Sequence, residues 1–164
     1  MAQPLKLRRR NRLRVKEVDS LVSEFNAVMG CESFDSDAII ETAEAGGVKL
    51  VLLKGKPVAM YFDEEPFPTI QGLLLYPAIK RYVTVDMGAV KFLANGADVM
   101  APGVVDAHPE IKKGMPVWVR DVNNKRALAI GVALMDAGEM IVASGGKAVK
   151  THHYVGDKFW DLGN

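Results

Sequence analysis

Catalysis needs a nucleophile, a base, a metal or a bound cofactor, and the residue types that supply them are sparse here. Histidine occurs only at 108, 152 and 153. His152 and His153 are adjacent, so in a strand they point to opposite faces and do not easily grip one metal. Asp106-x-His108 offers a weak pair of ligands without an evident third. Cys31 is the sole cysteine, which excludes an internal disulfide and a thiolate zinc cage. It follows a helix-like stretch and precedes an acidic one, surroundings that disfavour a thiolate. Gly145-Gly146-Lys147-Ala148 lacks the upstream glycine and the Ser or Thr of a phosphate-binding loop, and no Gly-x-Gly-x-x-Gly occurs. These residues argue against an enzyme, with no cofactor and no metal expected.

Binding chemistry is better represented. Residues 86–103 read as a very short helix with a marked start and stop, followed at once by an apolar strand. Asp86 is of the type that caps free N–H groups at a helix start, and Asn95-Gly96 supplies a left-handed helix end. Gly88, Ala89, Gly96 and Ala97 leave the surface around this unit almost bare of side chains, so another backbone can approach closely. Two readings fit: a tight helix–strand corner, or a seat for a phosphodiester chain.

The pattern Asp86-x-Gly88-Ala89, Asn95-Gly96-Ala97 and Met100-x-Pro102-Gly103 resembles the opening of a PUA domain, an RNA-binding module. Arg126-Ala-Leu-Ala-Ile-Gly131 resembles that domain's central strand ending in glycine. The tail, Gly146–Lys150 with His153–Trp160, is similar to proteins that join a PUA domain to a dedicated N-terminal domain. These are the malignant T-cell-amplified-sequence family of ribosome-associated translation factors and their archaeal relatives. The resemblance implies an α+β protein: a small helix-on-antiparallel-sheet domain over residues 1–75, then a PUA β-pseudobarrel with a short capped helix over 76–164. Carried over by matching position, it implies RNA contacts at Gly88, Ala89, Lys91, Asn95, Gly96 and Ala97. Lys80, Arg81, Lys147 and Lys150 are placed to neutralise phosphates, and His153 and Tyr154 offer rings for unpaired bases.

Composition is that of a globular chain, with 49% hydrophobic and 25% charged residues, and no apolar run is long enough to cross a bilayer. The basic start is not followed by the apolar segment of a signal peptide, so a cytoplasmic location without membrane contact is expected. The net charge of +1 conceals an asymmetry: residues 1–16 carry seven basic side chains and no acid, whereas residues 32–65 carry eight acids against three lysines. Such a distribution suits a protein that touches a polyanion along one face. Arg8, Arg9, Arg10 and Arg12 are candidates for a second contact, to RNA or to a protein partner at the N-terminal domain.

Positioning elements follow from periodicity. Residues 5–14 alternate partly and predict a strand with an arginine-rich exposed face. Val18, Leu21, Val22, Phe25 and Met29 form one stripe of a helix over 16–29 that Gly30 ends. Residues 39–43, 48–53 and 58–62 read as strands separated by Gly46-Gly47 and Gly55-Lys56-Pro57. Glu64–Pro68 marks a strand end, and residues 69–78 a linker with a short helical turn, whose Leu73-Leu74-Leu75 is expected to pack between domains. Strands are further predicted at 82–85, from 98 to Pro102-Gly103, at 117–119 and 127–133 as a hairpin, and at 140–143, 148–151 and 159–162; residues 103–115 read as a loop.

The sequence thus predicts a non-catalytic RNA-binding protein. Its partner by resemblance is tRNA or small-subunit ribosomal RNA, in initiation or recycling. Two rivals differ in class. An RNA-modifying enzyme or its accessory subunit would show turnover on tRNA or rRNA. A protein-interaction adaptor would use the glycine-rich face for a protein.

Overall fold

The computed structural model describes residues 3–35 and 37–162. They group into two compact units, residues up to 79 together with those from 158 onward, and residues 80–157. The chain therefore returns to the first unit after completing the second, which a single cut after residue 75 does not describe.

The first unit is an antiparallel sheet in the order β1-β2-β3-β4-β5, built from Arg8–Arg12, Ile40–Ala45, Val48–Leu53, Lys56–Phe62 and Glu65–Pro68. Helix α1, Val15–Met29, buries Val18, Leu21, Phe25 and Met29 with Ile40, Val51 and Val58 of the sheet. It stops at Gly30, whose positive φ of 72° lets its N–H reach back to the Asn26 carbonyl. Phe25 stacks on Phe34 at 5.6 Å and meets the Tyr76 ring edge-on. Gly46 and Gly47 both have positive φ, the requirement of a two-residue hairpin between β2 and β3.

Three expectations for this part are corrected. Glu65–Pro68 is itself a strand, paired antiparallel with β4. The short helical turn expected in the linker region is helix α2, Ile70–Leu75, whose start is capped by the Thr69 hydroxyl accepting the Gly72 N–H. Leu74 and Leu75 are 64% and 57% exposed, because α2 turns only Ile70 and Gly72 fully inward. The terminal segment Lys158–Leu162 is helix α5, not a strand.

The second unit is a six-stranded sheet in the order β7-β11-β10-β9-β6-β8. Its strands are β6 Tyr82–Val85, β7 Val99–Met100, β8 Val104–Ala107, β9 Pro116–Asp121, β10 Ala127–Ala133 and β11 Lys147–Tyr154. β6 and β9 run parallel; the other pairs are antiparallel. The edge strands β7 and β8 are joined by a single 3₁₀ turn, Ala101–Gly103, so the sheet nearly closes on itself. Val83, Val85, Val117, Val119, Ala129 and Val149 point into its core. Helix α3, Met87–Leu93, lies between β6 and β7, and α4, Ala137–Val142, precedes β11.

Met140, Ile141 and Val142 accordingly belong to a helix: Asp136 is its N-cap, with its N–H donating to Glu139 at 3.4 Å. The supposed loop 103–115 contains β8, too short and too mixed in polarity (buried Val104 and Ala107, exposed Val105 and Asp106) to declare itself. Gly131 lies within β10 rather than ending it. A Cβ there would stand 2.1 Å from the Lys150 carbonyl oxygen, at a register shift between β10 and β11. Gly131→Ala is expected to destabilise the protein by at least about 2 kcal/mol, since neither backbone can retreat without breaking the ladder; urea unfolding measures it.

Candidate nucleic-acid interface

The candidate site is built around α3. Asp86 caps it as expected, its Oδ1 accepting the Ala89 N–H at 3.1 Å. Leu93 is buried and anchors the helix in the core. The helix ends where Gly96, at φ 84°, donates its N–H to the Leu93 carbonyl. The Tyr154 ring packs directly under Gly96, so close that a Cβ there would meet Cε1 at 2.7 Å. Tyr154 therefore acts as a support for the helix end rather than as a free stacking ring.

Between α3 and β7 runs a groove of about 500 Å³, lined among others by Gly88, Ala89, Phe92, Ala97, Met100 and Lys147. The small residues make the floor shallow, while Phe92 and Met100 stand 58% and 49% exposed at its sides. Most of the lining is carbon; its charged residues are Lys147 and the carboxylates of Asp86 and Asp98, each of which accepts a backbone N–H. The Lys147 Nζ lies 3.1 Å from the Asp98 carboxylate. Asp98 also accepts the Thr151 N–H at 2.9 Å, while the Thr151 hydroxyl donates to the Ala97 carbonyl. The Thr151 N–H holds the Asp98 carboxyl below its usual range; burial opposes this, and Lys147 and Lys150 add to it. A groove with apolar walls and one cation at the rim suits a flat ring with an attached anion better than a bare phosphate.

Of the predicted contacts, Gly88, Ala89, Ala97 and Lys147 come together on this groove. Lys91 lies on the flank of α3 with its Nζ 5.2 Å from the centre of the Phe92 ring, and Asn95 turns its side-chain amide back onto the Lys91 carbonyl. Lys150 is exposed on β11 and contributes to the field at Asp98. Lys80 and Arg81 are not brought to the groove: they precede β6, whereas α3 follows its other end. Lys80 faces Glu110 at 3.9 Å, and Arg81 Nη1 donates to the Pro116 carbonyl.

His153 must be withdrawn as a stacking residue. It is 1% exposed, with Nδ1 at 3.0 Å from both carboxylate oxygens of Asp157. Its neighbour His152 is the exposed one, because β11 is irregular here and Ile130 pairs with His153 while Gly131 pairs with Thr151. Partial burial lowers the His152 pKa, with Lys150 acting in the same direction and Asp98 against it. Sequence reasoning also missed Phe92 and Met100; the signal was available, since Phe92 falls four residues after Gly88 and hence on the same helix face.

In the first unit all five residues of β1 are exposed. Arg9 pairs with Glu44 and Arg10 with Glu41, at 3.2 and 2.7 Å. The hydrogen bonds from Arg10 keep the Glu41 carboxyl below its ordinary range. Arg8 and Arg12 make no ion pair among the described residues.

A nearly closed small sheet, entered through a capped helix and a glycine-ended corner, is the architecture of a PUA domain, and the PUA domain family matches residues 81–155. An uncharacterized protein of Methanocaldococcus jannaschii is 40% identical over 160 residues, 96% of this chain and 99% of that one. The Translation machinery-associated protein 20 of Saccharomyces cerevisiae is 29% identical over 121 residues, 70% of this chain and 67% of its own length. Malignant T-cell-amplified sequence 1 of Danio rerio is 28% identical over 119 residues, covering 70% and 66%. A conserved PUA domain protein of Thermoplasma acidophilum superposes with a TM-score of 0.79 at 26% identity, over 95% of this chain and 100% of that one. The chain belongs to this family of PUA-domain proteins.

Replacing Asp98 by Asn tests the groove's frame. The folded carboxyl titrates below the ordinary value of 3.8, so its stabilisation is full above that pH and is lost as pH falls through the lower folded value. Asp98→Asn is expected to cost about 1 kcal/mol near neutrality, and the gap to the parent protein should close in strong acid. Denaturant midpoints followed downward in pH measure this; a gap independent of pH would contradict the assignment.

Proposed function

We propose that this protein binds RNA without catalysing a reaction on it, in association with the translation machinery, and that the α3–β7 groove receives an unpaired nucleotide. The observation that carries this reading is the groove itself: apolar walls from Phe92 and Met100 over a floor of Gly88 and Ala89, with Lys147 at the rim. A base stacks on such walls, and the lysine meets its phosphate. The translation setting rests on relatives whose names place them with that machinery. tRNA and small-subunit ribosomal RNA are the ligands to try. Among the described residues no helix is long and apolar enough to cross a membrane.

The test compares the full chain with a Phe92→Ala/Lys147→Gln variant, whose amide can still donate to Asp98, on both RNAs across a salt series. Both side chains are exposed, so the variant should fold. Parent binding should weaken as salt rises, by roughly 0.7 to 0.9 powers of salt concentration per phosphate contacted. The variant should lose at least about tenfold, because one stacked base contributes about 1–3 kcal/mol. Equal binding by both proteins would remove RNA from the groove, and multiple turnover on either RNA would overturn the non-catalytic reading.

A further inference from the structure

In the first unit two apolar side chains from neighbouring elements stand in the open. Val15 opens α1 and is 74% exposed; Ile39, just before β2, is 57% exposed. The backbone brings their segments together, since Leu13 donates its N–H to the Ile40 carbonyl at 2.9 Å. Both side chains line one shallow depression of about 100 Å³ with Arg12, Leu13, Asp37 and Ala38. A wider groove of about 490 Å³ shares Asp37, Ala38 and Ile39 with it and runs on to Phe34 and Tyr76. Val15 and Ile39 therefore stand at one end of a continuous, largely apolar surface on this unit.

The charges beside this surface carry both signs. Arg12 and Asp37 are exposed, and neither makes an ion pair among the described residues. Glu41 lies opposite Arg12 in the β1–β2 register, but Arg10 holds its carboxylate at 2.7 Å. A polyanion is disfavoured here by Asp35, Asp37 and Glu41, which line the joined depressions. A polycation is disfavoured by Arg12 and by its exposed neighbour Arg14. The complementary surface has an apolar centre flanked by one cation and one carboxylate, and that describes this surface itself. About a two-fold axis through the apolar centre, Arg12 of one copy faces Asp37 of the other, and the reverse contact forms by symmetry.

The adjacent sheet edge does not offer an equivalent contact. β1 is an edge strand with β2 as its one neighbour among the described strands. Pairing two copies antiparallel along β1 sets arginine against arginine, and like charges directly opposite destabilise a ladder. The bulge between Arg8 and Asn11, with Arg9 at φ 53°, interrupts the same edge. We propose that the protein self-associates as a two-fold dimer through the Val15–Ile39 surface, with these side chains packed at the centre and Arg12 meeting the partner's Asp37. The surface presents fewer residues than the roughly 20–30 per side of a standard interface, so the dimer is weak and reversible. This assembly goes beyond the RNA-binding reading and involves no residue of the α3–β7 groove.

The experiment is sedimentation equilibrium of the full chain, without RNA, from about 1 µM to about 500 µM, a range that spans weak association. The parent should show a reversible monomer–dimer equilibrium. Arg12→Glu and Asp37→Arg should each weaken it about tenfold or more, because each change occurs twice per dimer and turns an attraction into a repulsion. An equimolar mixture of these two variants should associate like the parent, since both cross-contacts then join opposite charges. The double variant Arg12→Glu/Asp37→Arg should recover for the same reason. Ile39→Ser should weaken the dimer without rescue by either charge change. All three side chains are exposed, and circular dichroism checks that each variant keeps its fold. A parent that stays monomeric throughout overturns the dimer, even if Arg12→Glu then weakens RNA binding. A parent dimer that the single variants leave unchanged places the interface elsewhere and overturns the proposal as well. Loss in both single variants without recovery in the mixture or the double variant overturns the Arg12–Asp37 pairing and the two-fold arrangement built on it.

Discussion

Strand β7 consists of Val99 and Met100, too few residues for ladder hydrogen bonds to hold it in register unaided. Asp98 provides the missing restraint by accepting the Thr151 N–H and facing Lys147. With Thr151 donating to the Ala97 carbonyl, the corner between α3 and β7 is tied to β11 at three points. The groove wall, the rim lysine and the near-closure of the sheet all hang on that corner. A carboxylate suits this role because it accepts a backbone N–H and a lysine at once, and a charged acceptor makes both bonds stronger than neutral ones. The same pairing moderates Lys147, so a ligand phosphate competes with Asp98 for that cation.

The charges of the chain fall into two kinds. Arg9 and Arg10 are matched by Glu44 and Glu41 across β1 and β2, exposed pairs that contribute little stability and that reduce the positive field of the arginine strand. Arg120 stands differently, positioned by the Thr84 hydroxyl and the rings of Tyr82 and Trp118. Counting arginines in a segment therefore overstates its pull on a polyanion where carboxylates lie opposite.

Much of the fold was readable from local signals. The stripe Val18–Met29, the paired glycines at 46–47, the Asp86 cap and the Gly96 stop each carry their physical cause within a few residues, and each stands as expected. The elements that were misread had weak or ambiguous local signals. Residues 140–143 and 159–162 are short apolar runs whose period does not separate strand from helix, although Asp136-x-x-Glu139 announced the helix start. β8 exists because β6 offers it an edge, a partner its four residues do not reveal.

For the candidate site the division is similar. Residue types and spacing alone determined that a capped, small-residue helix leads into an apolar strand and that conventional catalytic motifs are missing, because capping, chain reversal and motif chemistry are local properties. Tertiary structure alone decided which cations share a surface with that helix. Lys147 joins Gly88 through the pairing of β11 with β7, whereas Lys80 and Arg81, only a few residues before the helix, sit at the far end of β6. It also decided that His152 and not His153 faces outward, through an irregularity in the register of two strands whose partner residues lie well apart in sequence, as Ile130 and His153 do. Strand register is set by the packing of both faces and by partners remote in sequence, so this information was never present in the order of neighbouring residues.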